Sequence, residues 1–255
     1  VLGELLRVVV KPCVEPLARE MGPFATVVGS TFFGPDQDRG LTDELRVNVI
    51  KCCAFLERNG VSVADLEVGK QALELLVKHC SGVSACPSAL RAVVFKVGAG
   101  FGGSDALKTL LGRYEATSDG MERREILNAL GGLPTPELLS RALGFVCSSP
   151  SVRSQDVPLA VSSMSGSSRV GARLVWSRFQ SDFDWWWSRF SDGNFLWSGI
   201  VGAVAGSLPT VDEAESVRTF FAEKGKPLGS AQRALSQAIE KVRARVAQAA
   251  RDQPN

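Results

Sequence analysis

The sequence predicts an all-α protein: a superhelical stack of helical hairpins of the HEAT or armadillo type. Three observations lead there. Apolar residues recur at helical spacing along most of the chain, and Ser, Thr or Asp stands where segment after segment should begin. Only Arg7–Val10 (RVVV) and Ala92–Phe95 (AVVF) look strand-like, and each lies inside a helical pattern. Helix–turn–helix pairs return every ~30–40 residues without strict self-similarity, the rhythm of a solenoid whose pairs bury their apolar faces only against neighbours. About twelve helices are expected. Residues 1–40 read as an irregular or kinked-helix lead-in to the same domain, and residues 41–255 as the superhelical domain proper.

Taken in order, Val1 to Met21 carries Leu2, Leu5, Leu6, Val9, Cys13 and Leu17 at near-helical spacing, interrupted by Pro12 and Pro16, so a kinked or broken helix is expected. Gly22 to Gly40 is rich in Gly and Pro and reads as a long loop. Thr42 caps a helix with the stripe Leu45, Val49, Cys52, Cys53 and Leu56, and Gly60 stops it. Ser62 and Asp65 resemble a capping box before Val63 to His79, whose buried side is Leu66, Ala72, Leu73, Leu76 and Val77. Pro87-Ser88 opens Ala89 to Val97, which the glycines of GAGFGG (98–103) should close.

Beyond that point each start is marked. Ser104-Asp105 opens a helix with Leu107, Leu110, Leu111 and Tyr114 on one side. Asp119-x-x-Glu122 reads as a capping box, and Thr135-Pro136-Glu137 places a cap before a Pro at the first helical position. Ser154-Gln155-Asp156, Ser167-Ser168 and Ser181-Asp182 open three more helices, the last carrying Trp185, Trp186 and Trp187. An apolar helix from Asn194, a capping box at Thr210-x-x-Glu213 and a long helix after Gly229-Ser230 complete the chain. Leu235, Ala238, Ile239, Val242 and Val246 form one apolar stripe of the long helix. Lys241, Arg243, Arg245 and Arg251 crowd its C-terminal half, where positive charge suits the helix dipole.

Composition excludes several classes. A net charge of +2 is too small for a nucleic-acid binder's broad basic field. No apolar run reaches the ~18 residues of a membrane span, and no charged-then-apolar leader opens the chain. Val1 in place of Met suggests a fragment or a processed product. The six cysteines lack metal-ligand spacing and read as reduced, mostly buried thiols of a cytoplasmic protein.

Catalytic chemistry is equally sparse. His79 is the only histidine, it lies mid-helix, and there is no HExxH. GAGFGG has neither a preceding strand nor a following Lys-Ser/Thr pair, so it reads as a turn between helices and not as a phosphate cradle. Asp182 and Asp184 read as caps at a helix start. Trp176, Trp185, Trp186, Trp187 and Trp197 could form a stacking platform, but consecutive residues on a helix point ~100° apart, so at least two of the three in a row belong to the core. Arg153, Arg169, Arg173, Arg178 and Arg189 could offer guanidinium groups to a carboxylate or form a solvated face.

The ordered set of segments from Ala89 onward resembles a known family. LRAVVFKVGAGFGG is followed by ALKTLLGRYEATSDGMERREILNALGGLPTPELLSRALGFV, then VRSQDV, then GARLVWSRFQSDFDWWWSRF after a Ser/Gly turn, then VDEAESVRTFFAEKG and a final helix near Gln232. This order is similar to the C-terminal helical domain of M1-family zinc aminopeptidases, in the puromycin-sensitive and endoplasmic-reticulum aminopeptidase branch. The long Gly/Pro loop and the run of three tryptophans depart from the pattern. The resemblance implies a non-catalytic domain that caps the active site of a larger enzyme and helps bind and orient its peptide substrate. Zinc and every catalytic residue then belong to a catalytic domain of the parent chain, with none in this chain. The implied partners are the peptide and that catalytic domain, with no nucleic acid and no membrane. Arg153, Arg169 and Arg173 are the expected peptide contacts, because a C-terminal carboxylate needs a fixed cation. A stand-alone HEAT-like scaffold for a protein partner is the alternative. An RNA-binding helical repeat fits less well, given the low net charge and the single tyrosine, Tyr114.

Overall fold

The structure, a computed structural model, describes residues 8, 10–20, 41–61, 63, 67–191 and 195–251. The expected stripe at Leu2, Leu5, Leu6 and Val9, the loop from Gly22 to Gly40, Ser62, Asp65, Leu66 and Asn194 lie outside the described residues, as do the side chains of Leu17, Thr42 and Leu45. Among the described residues every regular element is helical, as expected. The α-helices are α1 (Lys11–Glu20), α2 (Leu41–Arg58), α3 (Val68–Cys80), α4 (Ser88–Ala116), α5 (Gly120–Ala129), α6 (Pro136–Ser148), α7 (Val157–Ser167), α8 (Arg169–Ser181), α9 (Phe183–Phe190), α10 (Phe195–Ser207), α11 (Val211–Glu223) and α12 (Gln232–Arg251). None of them is long and apolar enough to cross a membrane. They form two compact units, Val1–Pro134 and Thr135–Asn255.

In the first unit α4 packs against α2, α3 and α5. AVVF lies within α4, so its β-branched residues face a helical core. α1 runs through Pro16 and does not break there. α2 ends as expected: Gly60 takes φ +73°, and the Val61 N–H donates to the Leu56 carbonyl at 2.9 Å. Three members of the expected stripes are corrected, one of them Val246 of α12 in the second unit, which is exposed. Cys52 and Val77 are exposed, while Ile50 and Ala54 fill the face of α2 instead.

The start of the next helix is also corrected. α3 begins at Val68, five residues later than the local pattern suggests, and Glu57 of α2 caps it. The N–H groups of Val68 and Gly69 donate to the two Glu57 carboxylate oxygens at 2.7 and 2.8 Å. A carboxylate at a helix N-terminus satisfies orphan donors and suits the dipole, wherever in the chain it comes from.

The glycine string is the largest correction. α4 does not close at Val97; it continues through Gly98, Ala99, Gly100, Phe101 and Gly102 and is interrupted only at Gly103, with φ 54° and ψ −124°. The missing side chains make room for neighbours. A Cβ at Gly98 would lie 3.0 Å from Leu76, and one at Gly100 would collide with the Arg58 guanidinium. Arg58 Nη2 lies over that gap and donates to the Gly132 carbonyl at 2.9 Å.

The second unit has an aromatic core. Phe179 of α8 contacts Trp176, Phe183, Trp186, Trp197, Phe220 and Phe221, with centroids 5.8–6.4 Å apart. The tryptophans are therefore packing residues, as expected: Trp176, Trp186 and Trp197 are buried, and Trp185 and Trp187 half-buried. The Trp186 indole N–H is enclosed with no acceptor among the described residues, so its ring packing offsets a lost hydrogen bond. Four helix starts follow their sequence signals. Asp119, Thr135, Ser168 and Thr210 accept from the N–H groups of Met121, Leu138, Gly171 and Glu213. Only Thr210 completes a capping box, since the Glu213 carboxylate returns to the Thr210 N–H at 3.2 Å.

The glycine geometry gives opposite expectations for two alanine substitutions. A Cβ at Gly132 would collide with the Lys96 backbone carbonyl, which cannot rotate away, so Gly132→Ala should cost about 1–3 kcal/mol. Gly112, exposed within α4, meets nothing within 4 Å, and Gly112→Ala should add roughly 0.5–1 kcal/mol. Urea denaturation of the two variants measures both.

Candidate functional site

A polar cleft of about 770 Å³ lies in the second unit. α7 contributes Ser162 and Ser165, the start of α8 contributes Ser168 and Arg169, and the end of α10 contributes Ser207. Thr210 sits at the start of α11, and α12 presents Lys241 and Arg245 from one face at i, i+4 spacing. Two helix N-termini, α8 and α11, thus open at the cleft beside three cations. N-terminal dipoles and guanidinium or ammonium groups act in the same direction, towards an anion. No carboxylate is among the described residues that line it.

The three cations differ in availability. Arg245 is anchored: Nη1 donates to the Gly206 carbonyl at 3.1 Å and Nη2 to the Leu208 carbonyl at 2.5 Å, closing the end of α10. Arg169 and Lys241 are exposed and have no hydrogen-bond or ion-pair partner among the described residues. The hydroxyls serve the frame. Ser207 donates to Ser165 Oγ at 3.0 Å, and Ser168 and Thr210 cap their helices.

Of Arg153, Arg169 and Arg173, only Arg169 lines this cleft. Arg153 Nε donates at 2.7 Å to Asp156, whose side chain is fully enclosed. Arg173 Nε donates at 2.6 Å to Glu213 and holds that carboxyl below its usual range. Arg173 and Arg178 line a separate groove of about 510 Å³ with Val170 and Leu174. Arg178 pairs with Asp182, which leaves Asp182 without a side-chain cap bond to α9. Arg189 lies 5.2 Å from the centre of the Trp185 ring. Lys241 and Arg245 appeared in the sequence only as dipole-suiting charge; their i, i+4 spacing was the available signal of a shared face.

The first unit contains the only histidine, built into a buried network. The Cys86 N–H donates to His79 Nδ1 at 3.0 Å, so the ring proton sits on Nε2, which donates to Glu122 Oε1 at 2.8 Å. Arg113 forks onto both oxygens of Glu122 at 2.6 and 2.9 Å, and Thr117 donates at 2.5 Å. Glu122 is therefore not the returning arm of a capping box at Asp119; it is the acceptor at the centre of this cluster. Burial pushes its pKa up, but the hydrogen bonds from Arg113, Thr117 and His79 outweigh that and hold it at about 2. Burial raises the thiols of Cys53 and Cys86 to about 12 and those of Cys80 and Cys147 to about 11, while Cys13 and Cys52 are exposed. All six cysteines are free, and no cluster of three potential metal ligands occurs among the described residues. The residues present do not fit a zinc site.

The fold and the cleft define a class: an all-helical domain with an anion-facing cleft. Comparison with known proteins names the family. The model of the ERAP1-like C-terminal domain matches residues 5–244, and the chain belongs to that family, the C-terminal domain of M1 aminopeptidases. The chain is 25% identical over 161 residues to Aminopeptidase 2, mitochondrial, of Saccharomyces cerevisiae, covering 63% of this chain and 17% of that protein. It is 28% identical over 158 residues to Aminopeptidase N of Canis lupus familiaris, covering 62% and 16%. It is 24% identical over 234 residues to Glutamyl aminopeptidase of Bos taurus, covering 91% and 23%. It thus spans less than a quarter of the curated relatives it matches.

The Glu122 network gives stability a defined acid dependence. A folded value of about 2, against 4.5 for the free group, is worth roughly 3 kcal/mol, fully present above pH 4.5 and lost as pH falls towards 2. Glu122→Gln should be destabilised by about that amount at pH 7, and its deficit relative to wild type should shrink between pH 4.5 and 2. Denaturant titrations across that range read the difference.

Proposed function

We propose that this chain is the non-catalytic C-terminal domain of a zinc-dependent M1 aminopeptidase. It caps the parent's active site and helps bind and orient the peptide from which the parent removes N-terminal amino acids. The observation that carries this reading is the family match over residues 5–244 in a chain that spans 16–23% of its aminopeptidase relatives. In this reading the zinc and the residues that use it belong to the parent's catalytic domain, which is also the partner of this domain.

The cleft supports the substrate-binding part. A peptide in extended form ends in a carboxylate, and Arg169 and Lys241 are exposed cations beside two helix N-termini. Charge-assisted hydrogen bonds to a carboxylate are the strong ones, and Arg169 offers a planar fork for both oxygens. Arg153 and Arg173 serve second, through the donors that Asp156 and Glu213 leave open.

Anisotropy of a peptide labelled at its N-terminus tests this. Arg169→Ala and Lys241→Ala should each weaken binding by about tenfold, the worth of one charge-assisted bond. Amidating the peptide's C-terminus should cost as much. Equal binding of free and amidated peptides would remove the carboxylate role. Robust hydrolysis of aminoacyl fluorogenic substrates by the purified chain with zinc would overturn the non-catalytic assignment.

A further inference from the structure

We infer that the polar cleft of the second unit selects peptides that end in Glu or Asp, with Lys241 as the residue that reads the acidic side chain. The inference rests on the peptide reading above and deepens it: Arg169 takes the terminal carboxylate, and Lys241 takes a second one. The cleft has two walls. Ser162, Ser165 and Arg169 stand on the side of α7 and α8, and Ser207, Lys241 and Arg245 on the side of α10 and α12. The Ser207 hydroxyl donates to Ser165 Oγ at 3.0 Å, which ties the walls together. The two exposed cations, one guanidinium and one ammonium, therefore come from different walls.

The positive charge of the cleft exceeds what one carboxylate offsets. Arg245 is held by the Gly206 and Leu208 carbonyls, which accept hydrogen bonds but carry no formal charge. Arg169 and Lys241 have no partner among the described residues. Three positive charges thus line one cleft, with no carboxylate among its described lining residues. A peptide that ends in a neutral residue brings one negative group, and the planar fork of Arg169 matches both of its oxygens. Lys241 then stands in the same cleft with three donors that the ligand does not meet. A carboxylate on the last side chain supplies the acceptor, and the flexible lysine stem lets the ammonium follow it. Val246, Ala249 and Ala250 of α12 line the cleft as well and give the aliphatic part of that side chain an apolar surface. Charge matching of this kind decides which ligand is preferred more than how tightly any ligand binds.

Anisotropy of N-terminally labelled peptides on the intact chain tests this. The ligands differ only at the end: an alanine-rich peptide ending in Glu, the same peptide ending in Gln, and the Gln peptide amidated. The Glu peptide should bind about tenfold tighter than the Gln peptide, the worth of one charge-assisted bond. Lys241→Gln, at an exposed position, should bring that ratio close to one. Lys241→Arg should keep the ratio, and Arg169→Gln should weaken both peptides and keep it too. Moving the Glu to the N-terminal half of the peptide, at the same net charge, should abolish the preference. A ratio near one in the unaltered chain, while amidation still weakens the Gln peptide, would overturn this inference and leave the peptide reading standing. Equal binding of the free and amidated Gln peptides would overturn the peptide reading and this inference with it. A ratio that survives Lys241→Gln, or a Glu in the N-terminal half that serves as well, would overturn the role of Lys241 and with it the inference.

Discussion

Phe179 packs against six other aromatic rings, and the placement of α8, α9, α10 and α11 follows from that cluster. Burying each such ring is worth about 1.5–3 kcal/mol, with about 0.5–1.5 kcal/mol more for each well-oriented aromatic pair. α8 carries Trp176 and Phe179 about two and three turns beyond Arg169. α11 carries Phe220 and Phe221 about three turns beyond Thr210. Locking the aromatic ends of these helices fixes where their N-termini point. The cleft at Ser168 and Thr210 is thus a consequence of packing elsewhere in the unit, and its polar groups need little contact with one another to stay in place.

What the sequence disclosed is what local physics decides. An N-cap acceptor and the donor it serves lie within three residues, so Asp119, Thr135, Ser168 and Thr210 could be read directly. The glycine after α2 could be read for the same reason. The failures were non-local. Glu57 caps α3 from eleven and twelve residues away, and Glu122 answers His79 from 43 residues away. GAGFGG looked like a stop because glycine usually is one. Here the residues that need its emptiness, Leu76 and Arg58, sit on other helices, and no helical pattern in α4 itself could show them.

The candidate site was legible in the same partial way. Arg153, Arg169 and Arg173 form one cluster in sequence, and Arg169 and Arg173 share a helix face by spacing. Ion pairing separates them: Glu213 takes Arg173, Asp156 takes Arg153, and Arg169 keeps its full set of donors. Its companions in the cleft come from α12, more than seventy residues on. The sequence shows charges but not which carboxylate each one meets, and that decides which cations stay available.

Glu122 and the enclosed thiols are held away from the values that proton transfer at neutral pH requires. Glu122 is pinned as an anion by Arg113, Thr117 and His79. His79 spends both nitrogens on Glu122 and the Cys86 backbone. The enclosed thiols of Cys53, Cys80, Cys86 and Cys147 are pushed far above neutrality by burial. General acid–base catalysis needs a group whose pKa lies near the working pH and within reach of a substrate atom. Glu122 and the four enclosed thiols do not meet the first condition. What the second unit presents at its cleft is positive charge beside two helix N-termini, an arrangement that suits an anion. In the proposed reading a domain built this way would contribute binding energy and orientation, and its effect on the parent's reaction would run through where it holds the peptide.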